Sequence, residues 1–429
     1  MNISTADLRE TLDAEPMTGR TATTLERTLR TRLLAVMSDL RDCQLSLHDG
    51  EKSVVLGRPS NNPDQTLHAT IFVRDPAFYR LAALNGSVGA GESYMDGHWD
   101  CDDLVALVRI LVRNRDRLDA LERGPARLGG AIMRGWHALM RNTRAGSRRN
   151  IAAHYDLGND LFKLFLDESM MYSSAIYLDE NESLEVAAKR KLDRICHKLD
   201  LQPHHHVVEI GTGWGGFAIH AARHYGCKVT TTTISREQYE LARKLVDAAG
   251  LQDRVELLLE DYRDVEGTYD RLVSIEMIEA IGPQYLDTYF AKVGSLLKPD
   301  GMALIQAITI EEHRYKQALK AVDFIQRYVF PGSFIPALAP MLRAVAANTD
   351  MKLFNLEDIG PSYALTLRAW RERFMSKLAE VRAIGYPNRF IRLWEFYLCY
   401  CEGGFLERSI GDVQMLLSKP GARREQFVP

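Results

Sequence analysis

From residue 206 onward, apolar segments alternate with amphipathic ones, and this alternation constrains the fold more than any other feature of the 429-residue chain. The apolar segments are VVEIG, KVTTTTIS, RVELLLED, YDRLVSIEMI and GMALIQAITI. The amphipathic segments between them are GGFAIHAARHYG, REQYELARKLVDAAG and QYLDTYFAKVGSLLKPDG. Because strands that alternate with helices at this spacing form βαβ units, the sequence predicts an α/β fold whose parallel sheet is covered on both faces. Near the end of the chain, DVQMLLSKP predicts an edge strand.

A glycine-rich loop, EIGTGWGG over residues 209–216, follows the first of these strands and opens a helix. Its glycines fit G-x-G-x-x-G, in which small residues let the backbone turn tightly and approach a ligand closely. A dinucleotide-binding fold would also need an acidic residue about 20 positions later to hold a ribose. Residues 231–235 read TTTIS there, so the sequence disfavours a nicotinamide or flavin cofactor. S-adenosylmethionine has no phosphate and fits better, with Glu209 placed to bond ligand or loop amides and residues 260–262 placed to read adenine.

Residues 21–123 predict a smaller α+β domain, preceded by a flexible N-terminus over 1–20. A helix over 24–40 comes first, and the strands that follow are CQLSLHDG, KSVVLG and TLHATIFV. Two further helices are predicted in DPAFYRLAALNG, which is bounded by Asp-Pro and Asn-Gly, and in DCDDLVALVRILVRN.

Residues 124–150 form a basic segment that contains six arginines and no acidic residue. Ile132, Met133, Trp136, Leu139 and Met140 supply an apolar side. Two interpretations stay open: a solvated linker helix between domains, or an amphipathic segment that contacts anionic lipid headgroups. A nucleic-acid partner is disfavoured, because the net charge is −3 and no stripe of basic and aromatic residues is evident.

The N-terminal sequence MNISTADLRETLDAEP lacks the apolar centre of a signal peptide, and no run of about 18 apolar residues predicts a membrane span. The six cysteines form no CxxC pair, which favours free thiols in a reducing compartment. His204, His205 and His206 have no accompanying carboxylate cluster, so no metal site is predicted. We expect a cytoplasmic protein that is peripheral on the inner face of the membrane.

Seven motifs recur in an order that resembles the cyclopropane-fatty-acyl-phospholipid synthase family. They are HYDLGNDLF, MYSSAIY, EIGTGWGG, TTISREQ, EDYRD, SIEMIEAIG and KPDG. Members of this family use S-adenosylmethionine to alkylate double bonds of phospholipid acyl chains. The resemblance spans residues ~75–420. It implies a Rossmann-like, seven-stranded class I methyltransferase sheet with an acyl-chain pocket in residues 151–429, and a homodimer.

The resemblance and the glycine loop together imply a set of cofactor-binding residues. The set comprises Tyr172, Ser173, Glu209, Gly211, Gly213, Trp214, Gly215, Thr233, Ser235, Gln238, Asp261 and Tyr262. The resemblance also implies that His154, Tyr155 and Asp156 lie in a loop that covers the cofactor. The aromatic stretches over 324–334 and 394–405 are expected to wall the acyl channel, with ordinary core packing as the alternative.

In the cyclopropane-forming members, a bicarbonate ion takes up a proton and is held by a cysteine, a glutamate, a histidine, a tyrosine and a main-chain amide. The matching positions here are Ser174, Glu279, Gln306, Tyr363 and the amide of Ile308. Serine and glutamine can still hydrogen-bond an anion, but glutamine carries no charge, so a weaker bicarbonate site is expected.

Two chemical outcomes therefore stay open. The site holds bicarbonate and closes a cyclopropane ring, or Glu279 or a water removes a different proton. The second outcome gives a methyl- or methylene-branched chain or a furan-type precursor. Two other functions also stay open: a small-molecule methyltransferase on the same scaffold, and a non-catalytic protein that binds lipid or S-adenosylmethionine.

Overall fold

A computed structural model of the chain describes residues 20–50, 52–121 and 158–425. The basic segment 124–150, the loop residues His154 to Asp156 and nearly all of the predicted flexible N-terminus lie outside the described residues. The chain divides into two compact units. Ala321–Val329 and Leu367–Ser409, which the sequence analysis placed in the catalytic domain, group with the N-terminal residues in the first unit.

The helices and strands are numbered in chain order. The α-helices are α1 (Thr24–Ser38), α2 (Ala77–Met95), α3 (Leu104–Arg113), α4 (Arg115–Leu121), α5 (Asn159–Lys163), α6 (Leu184–Lys198), α7 (Gly216–Tyr225), α8 (Arg236–Ala248), α9 (Leu286–Ser295), α10 (Glu312–Ala318), α11 (Phe324–Tyr328), α12 (Leu338–Asn348), α13 (Gly360–Ser376), α14 (Leu378–Ala383) and α15 (Asn388–Leu406). Short 3-10 helices lie at Pro63–Gln65, Ile278–Ala280 and Pro283–Tyr285. The strands are β1 (Cys43–Asp49), β2 (Lys52–Leu56), β3 (Leu67–Val73), β4 (Trp99–Cys101), β5 (His206–Ile210), β6 (Lys228–Thr232), β7 (Val255–Leu258), β8 (Tyr269–Ile275), β9 (Leu297–Ile310), β10 (Lys352–Asp358) and β11 (Ile410–Ser418).

The first unit contains a four-stranded sheet in the order β2-β1-β3-β4, which includes the three strands predicted from sequence. Helix α2 bends at Gly86, where φ is +56°, so the predicted helix end at Asn-Gly is a kink within a longer helix. Phe324 and Phe396 are buried in this unit's core with Leu45 and Trp99. These two aromatic side chains, which were expected to wall an acyl channel, therefore serve core packing.

The second unit contains the predicted seven-stranded sheet, in the order β10-β11-β9-β8-β5-β6-β7. Strands β5 to β9 are mutually parallel, as predicted, and β11 runs antiparallel to both β9 and β10. Helices cover both faces: Val208 packs with residues of α9 and α12, whereas its neighbour Val207 packs with residues of α6 and α7. This alternation follows from the two-residue repeat of a strand.

Two expectations about this sheet were wrong. The segment DVQMLLSKP lies in β11, which is an interior strand and not an edge, and its run of seven buried residues is typical of a strand with neighbours on both sides. The actual edge strand, β10, was missed because KLFNLED is largely exposed and carries no apolar run. The helix predicted to end at KPDG ends at Ser295, and KPDG belongs to β9. Within the described ranges, no helix is both long enough and apolar enough to cross a bilayer.

Candidate active site

The residues implicated by sequence emerge at one edge of the second unit's sheet. The register pairs Ile210 with Thr232 and Thr232 with Leu258, so β5, β6 and β7 end side by side. Because parallel strands end at the same edge, the loops after them meet there. The amides of Gly211 and Thr212 both donate to the Thr232 carbonyl at 3.0 Å, which fixes the glycine loop to the end of β6.

The glycine loop has the backbone geometry that its sequence predicts. Gly211, Gly213 and Gly215 have φ values of +101°, +52° and +91°, in the region that favours glycine. A Cβ atom at Gly213 would meet no atom within 4 Å, whereas one at Gly216 would lie 2.5 Å from the Ser169 carbonyl oxygen. Open space therefore lies beside the backbone at Gly213, where a ligand can approach closely.

Aromatic side chains connect this loop to the predicted cofactor residue Tyr172. Trp214 is buried and donates from Nε1 to Asn159 Oδ1 at 2.7 Å. The Phe162 ring lies between Trp214 and Tyr172, with ring centroids at 4.9 Å and 5.2 Å. The structure thus places Tyr172 and Trp214 against one shared aromatic ring.

The residues predicted after β6 hold one another and begin α8. Thr233 donates from its hydroxyl to Gln238 Oε1 at 2.9 Å, and Ser235 accepts from the Gln238 amide at 3.3 Å as the N-cap of α8. The Ser235 amide donates to the Thr233 hydroxyl at 3.1 Å. These contacts give the three side chains a structural role at the same sheet edge as the glycine loop.

After β7, Asp261 and Tyr262 have different environments. Asp261 forms a two-pronged ion pair with Arg263, with distances of 2.8 and 2.6 Å. The Tyr262 ring packs edge-on against Tyr289 at 5.7 Å. Its hydroxyl is buried with no hydrogen-bond partner among the described residues, and burial raises the pKa of Tyr262 to about 12. The unpaired hydroxyl is available to a ligand.

Glu209 lies beneath the loop. It is 2% exposed and accepts at Oε2 from the Thr231 hydroxyl at 2.6 Å. Burial raises the pKa of Glu209 to about 8, against the opposing effects of the Thr231 hydroxyl and the Lys191 ammonium. The hydroxyls of Thr231 and Thr212 lie 2.7 Å apart, so Glu209 supports the loop through these two side chains.

These features fit S-adenosylmethionine. The open space at Gly213 and the free hydroxyl of Tyr262 lie at the edge where the parallel strands end, and the ring of Tyr172 lies near by through Phe162. The glycine loop, Tyr172 and Tyr262 would hold the cofactor. When bound, S-adenosylmethionine supplies an electrophilic methyl group on a positively charged sulfur.

Beside the loop, three of the residues assigned to an anion site converge on a residue that the sequence analysis did not select. Glu276 accepts at Oε1 from the Ser174 amide and from Gln306 Nε2, both at 2.8 Å, and at Oε2 from the Tyr363 hydroxyl at 2.7 Å. The available signal was its position: a carboxylate directly after the apolar strand β8, at the functional edge.

Glu279 and Ile308, also predicted, contact each other. The Ile308 amide donates to Glu279 Oε1 at 2.6 Å, and Glu279 Oε2 is buried with no partner among the described residues. Burial, helped by the nearby Glu276 carboxylate, raises the pKa of Glu279 to about 8. The Ser174 hydroxyl donates to the Ala175 carbonyl at 2.9 Å, so only the amide of Ser174 reaches Glu276.

A further carboxylate and a buried lysine complete this group, which we call the carboxylate cluster: Glu276, Glu279, Asp412 and Lys191. Gln306 Nε2 lies 3.1 Å from Asp412 Oδ2. Burial, and to a smaller extent the negative charges of Glu276 and Glu279, raise the pKa of Asp412 well above its usual value. Lys191 is fully buried and donates to the Ser173 hydroxyl at 2.8 Å; burial lowers its pKa to about 8. The cluster therefore combines three carboxyl groups whose pKa values are raised with a lysine whose pKa is lowered.

The cluster does not fit a bicarbonate ion. Gln306, Tyr363 and the amide of Ser174 already donate to Glu276, and the amide of Ile308 donates to Glu279. The donors that the resemblance assigns to bicarbonate are thus engaged by carboxylates of the chain itself.

Comparison with known proteins shows the family and agrees with the fold. Residues 142–415, more than half of the chain, match the family described as mycolic acid cyclopropane synthetase. The tuberculostearic acid methyltransferase UfaA1 of Mycobacterium tuberculosis is 39% identical over 371 residues, which cover 82% of this chain and 84% of the relative. The cyclopropane-fatty-acyl-phospholipid synthase of Escherichia coli K12 is 38% identical over 356 residues, which cover 82% and 88%.

A solved structure shows the same fold with a cofactor product present. The mycolic acid cyclopropane synthase CmaA1, complexed with SAH and CTAB, superimposes with a TM-score of 0.59 at 27% identity. The alignment covers 63% of this chain and 98% of that protein. The chain is an S-adenosylmethionine-dependent methyltransferase and belongs to the mycolic acid cyclopropane synthetase family.

Proposed function

We propose that this enzyme transfers a one-carbon group from S-adenosylmethionine to the double bond of an unsaturated fatty acyl chain in a membrane phospholipid. The observation that carries the proposal is the carboxylate cluster, in which Lys191 and Asp412 are buried and Glu276 and Glu279 are half-buried. It adjoins the glycine loop, because Met277, next to Glu276, packs against Gly211. Methyl transfer to an alkene leaves a positively charged carbon that must lose a proton, and this step needs a base shielded from water. The names of the two relatives, which refer to tuberculostearic acid and to fatty-acyl-phospholipid, support an acyl substrate.

The chain's own residues have three tasks in this reaction. The glycine loop and Tyr262 hold the methyl donor, and the packed rings of Trp214 and Phe162 exclude water beside it. The carboxylate cluster holds charge and protons where the acyl chain becomes positive. A buried carboxylate stabilises that positive charge more strongly than one in water would.

The product belongs to one of three classes: a cyclopropane, a methyl- or methylene-branched chain, or a methylated furan precursor. The relatives at 39% and 38% identity carry names that refer to two of these classes, a methylated acid and a cyclopropane. We further propose that the enzyme acts as a homodimer, peripheral on the inner face of an anionic membrane. The arginine-rich segment 124–150 supports that location, because it contains no acidic residue to balance its positive charge.

The test uses the full chain with labelled S-adenosylmethionine and vesicles of unsaturated phospholipid, one set zwitterionic and one containing anionic phosphatidylglycerol. We expect label in the acyl chains, more of it with anionic vesicles, and a mass gain that identifies the product by mass spectrometry. Glu256→Gln, on β7 outside the cluster, is the control variant and should match the wild type. Binding of S-adenosylhomocysteine without label in any lipid would refute an acyl substrate, and label on a soluble small molecule would favour the alternative methyltransferase.

A further inference from the structure

Three of the residues that the resemblance assigns to a bicarbonate ion, Ser174, Gln306 and Tyr363, instead donate hydrogen bonds to Glu276. We propose that the Glu276 carboxylate replaces that ion permanently and is the base that removes the proton after methyl transfer, so that catalysis needs no bicarbonate. The inference rests on the proposed function, and it adds the identity of the proton acceptor.

The hydrogen bonds to Glu276 come from three separate parts of the second unit. Ser174 lies in the segment before α6, Gln306 in β9 and Tyr363 in α13. Two donors reach Oε1 and one reaches Oε2, at 2.7–2.8 Å. Because a carboxylate offers about four lone-pair positions, these three donors fix the orientation of the group. The Asp412 carboxyl group lies within hydrogen-bond reach of Glu276 as well.

The backbone of Glu276 is strained in a way that points to function. Its φ is +48°, in the left-handed region that side chains other than glycine rarely adopt. Strain of this kind persists only where the surrounding structure enforces it, and it concentrates at functional sites. Here the amide of Glu276 donates to the Gln306 carbonyl at 2.8 Å, so the same residue anchors both the backbone and the side chain.

The charged neighbours make Glu276 a suitable base. Burial raises the pKa of Glu276, while the Tyr363 hydroxyl, the Ser174 amide and the Lys191 ammonium oppose the rise. Glu279 and Asp412 are the nearby acids, and Lys191 is the buried cation. A carboxylate with a raised pKa binds a proton more strongly than one on the surface, which favours proton abstraction.

The proposed step balances without an oxidant or a reductant. Methyl transfer uses the π pair of the alkene, and the breaking C–S bond leaves its electron pair on sulfur. A C–H bond of the resulting cation then breaks, its electron pair closes a cyclopropane ring or a C=C bond, and the proton moves to Glu276. Gln306 Nε2 contacts both Glu276 and Asp412, so a second carboxylate lies beside the protonated acid.

The experiment compares the wild type with Glu276→Gln and Glu276→Gly in bicarbonate-free and bicarbonate-supplemented buffers, using labelled vesicles. The wild type should change by less than about twofold on adding bicarbonate, and Glu276→Gln should lose about a hundredfold or more of its turnover. Glu276→Gly relieves the strained φ and opens the anion position, so added bicarbonate should restore its turnover by about tenfold. Glu256→Gln is again the control.

Two readouts are independent of turnover. Binding of S-adenosylhomocysteine should match the wild type in all variants, which shows that they fold. Isotopically labelled bicarbonate, followed by NMR, should bind Glu276→Gly and not the wild type. The inference is overturned if the wild type binds bicarbonate or needs it for turnover, or if Glu276→Gln keeps more than about a tenth of wild-type turnover. A wild type that labels no lipid would instead refute the proposed function.

Discussion

A single methyl group at Gly213 provides a sharp test of the cofactor site. A Cβ atom there meets nothing within 4 Å, so Gly213→Ala causes no clash within the protein. Its cost in the free protein comes from the backbone, since φ is +52° and an L residue in that region costs about 1–2 kcal/mol. The free energy of unfolding should therefore fall by about that amount.

Gly213→Ala should weaken cofactor binding by more than the loss of protein stability alone would suggest. If S-adenosylmethionine fills the open space at Gly213, the new methyl group overlaps it, and overpacking of a tight contact costs about 1–3 kcal/mol. That range corresponds to a dissociation constant raised roughly 5- to 150-fold. Titration calorimetry with S-adenosylhomocysteine measures this change directly, and urea denaturation without ligand measures the stability.

Gly250 supplies the matched control for this prediction. Its φ is +66°, a Cβ atom there also meets nothing within 4 Å, and it follows α8 away from the loop. Gly250→Ala should show the same loss of stability with wild-type affinity for the ligand. Wild-type affinity in Gly213→Ala, or equal losses of affinity in both variants, would refute the placement of the cofactor beside Gly213.

Two further predictions concern stability. Burial raises the pKa of Glu209 in the folded state from 4.5 to about 8. Its contribution to the free energy of unfolding is therefore full below pH 4.5 and is lost as the pH rises through 8. Glu209→Gln keeps a hydrogen-bond acceptor for Thr231 but cannot ionise. The variant should reduce the fall in unfolding free energy between pH 5 and 8 by up to about 4 kcal/mol, as measured by urea denaturation at both pH values. An unchanged pH dependence of stability would contradict this prediction. Trp214→Phe removes the hydrogen bond to Asn159 and should lower the free energy of unfolding by about 1–3 kcal/mol. Trp99→Phe, which removes an indole hydrogen bond to the Ala90 carbonyl in the other unit, serves as a comparison. No loss of stability in Trp214→Phe would show that this contact is not formed in solution.

Much of the fold could be predicted because it depends on local patterns. The alternation of strands and helices after residue 206 and the glycine-rich turn each depend on a few neighbouring residues. The errors arose where neighbours in space decide the outcome. Strand β11 is interior because β10 pairs with its outer side, and β10 is hard to recognise because little of it is buried.

The difference between local sequence patterns and contacts made in space also explains which residues of the candidate site could be predicted. Gly211 and Gly213 are needed for their own backbone conformations, which have positive φ, so a local sequence motif is enough to identify them. Phe324 and Phe396 could not be assigned to a channel or to a core from spacing alone, because both roles need the same apolar periodicity. The structure places both in the core of the first unit.

Glu276 was missed because its partners lie far away in the sequence. Ser174, Gln306 and Tyr363 are 102, 30 and 87 positions from it, so no motif contains the group. Taken one residue at a time, serine and glutamine at the anion site appear only as weaker ligands for bicarbonate. Seen together, they are ligands for a carboxylate that the chain carries itself. A neutral glutamine suits that arrangement better than a titrating histidine, since it donates to Glu276 at 2.8 Å whatever the pH. Ser174, Gln306 and Glu276 therefore form one hydrogen-bonded arrangement, and the consequence that we propose is an enzyme whose proton acceptor does not depend on dissolved bicarbonate.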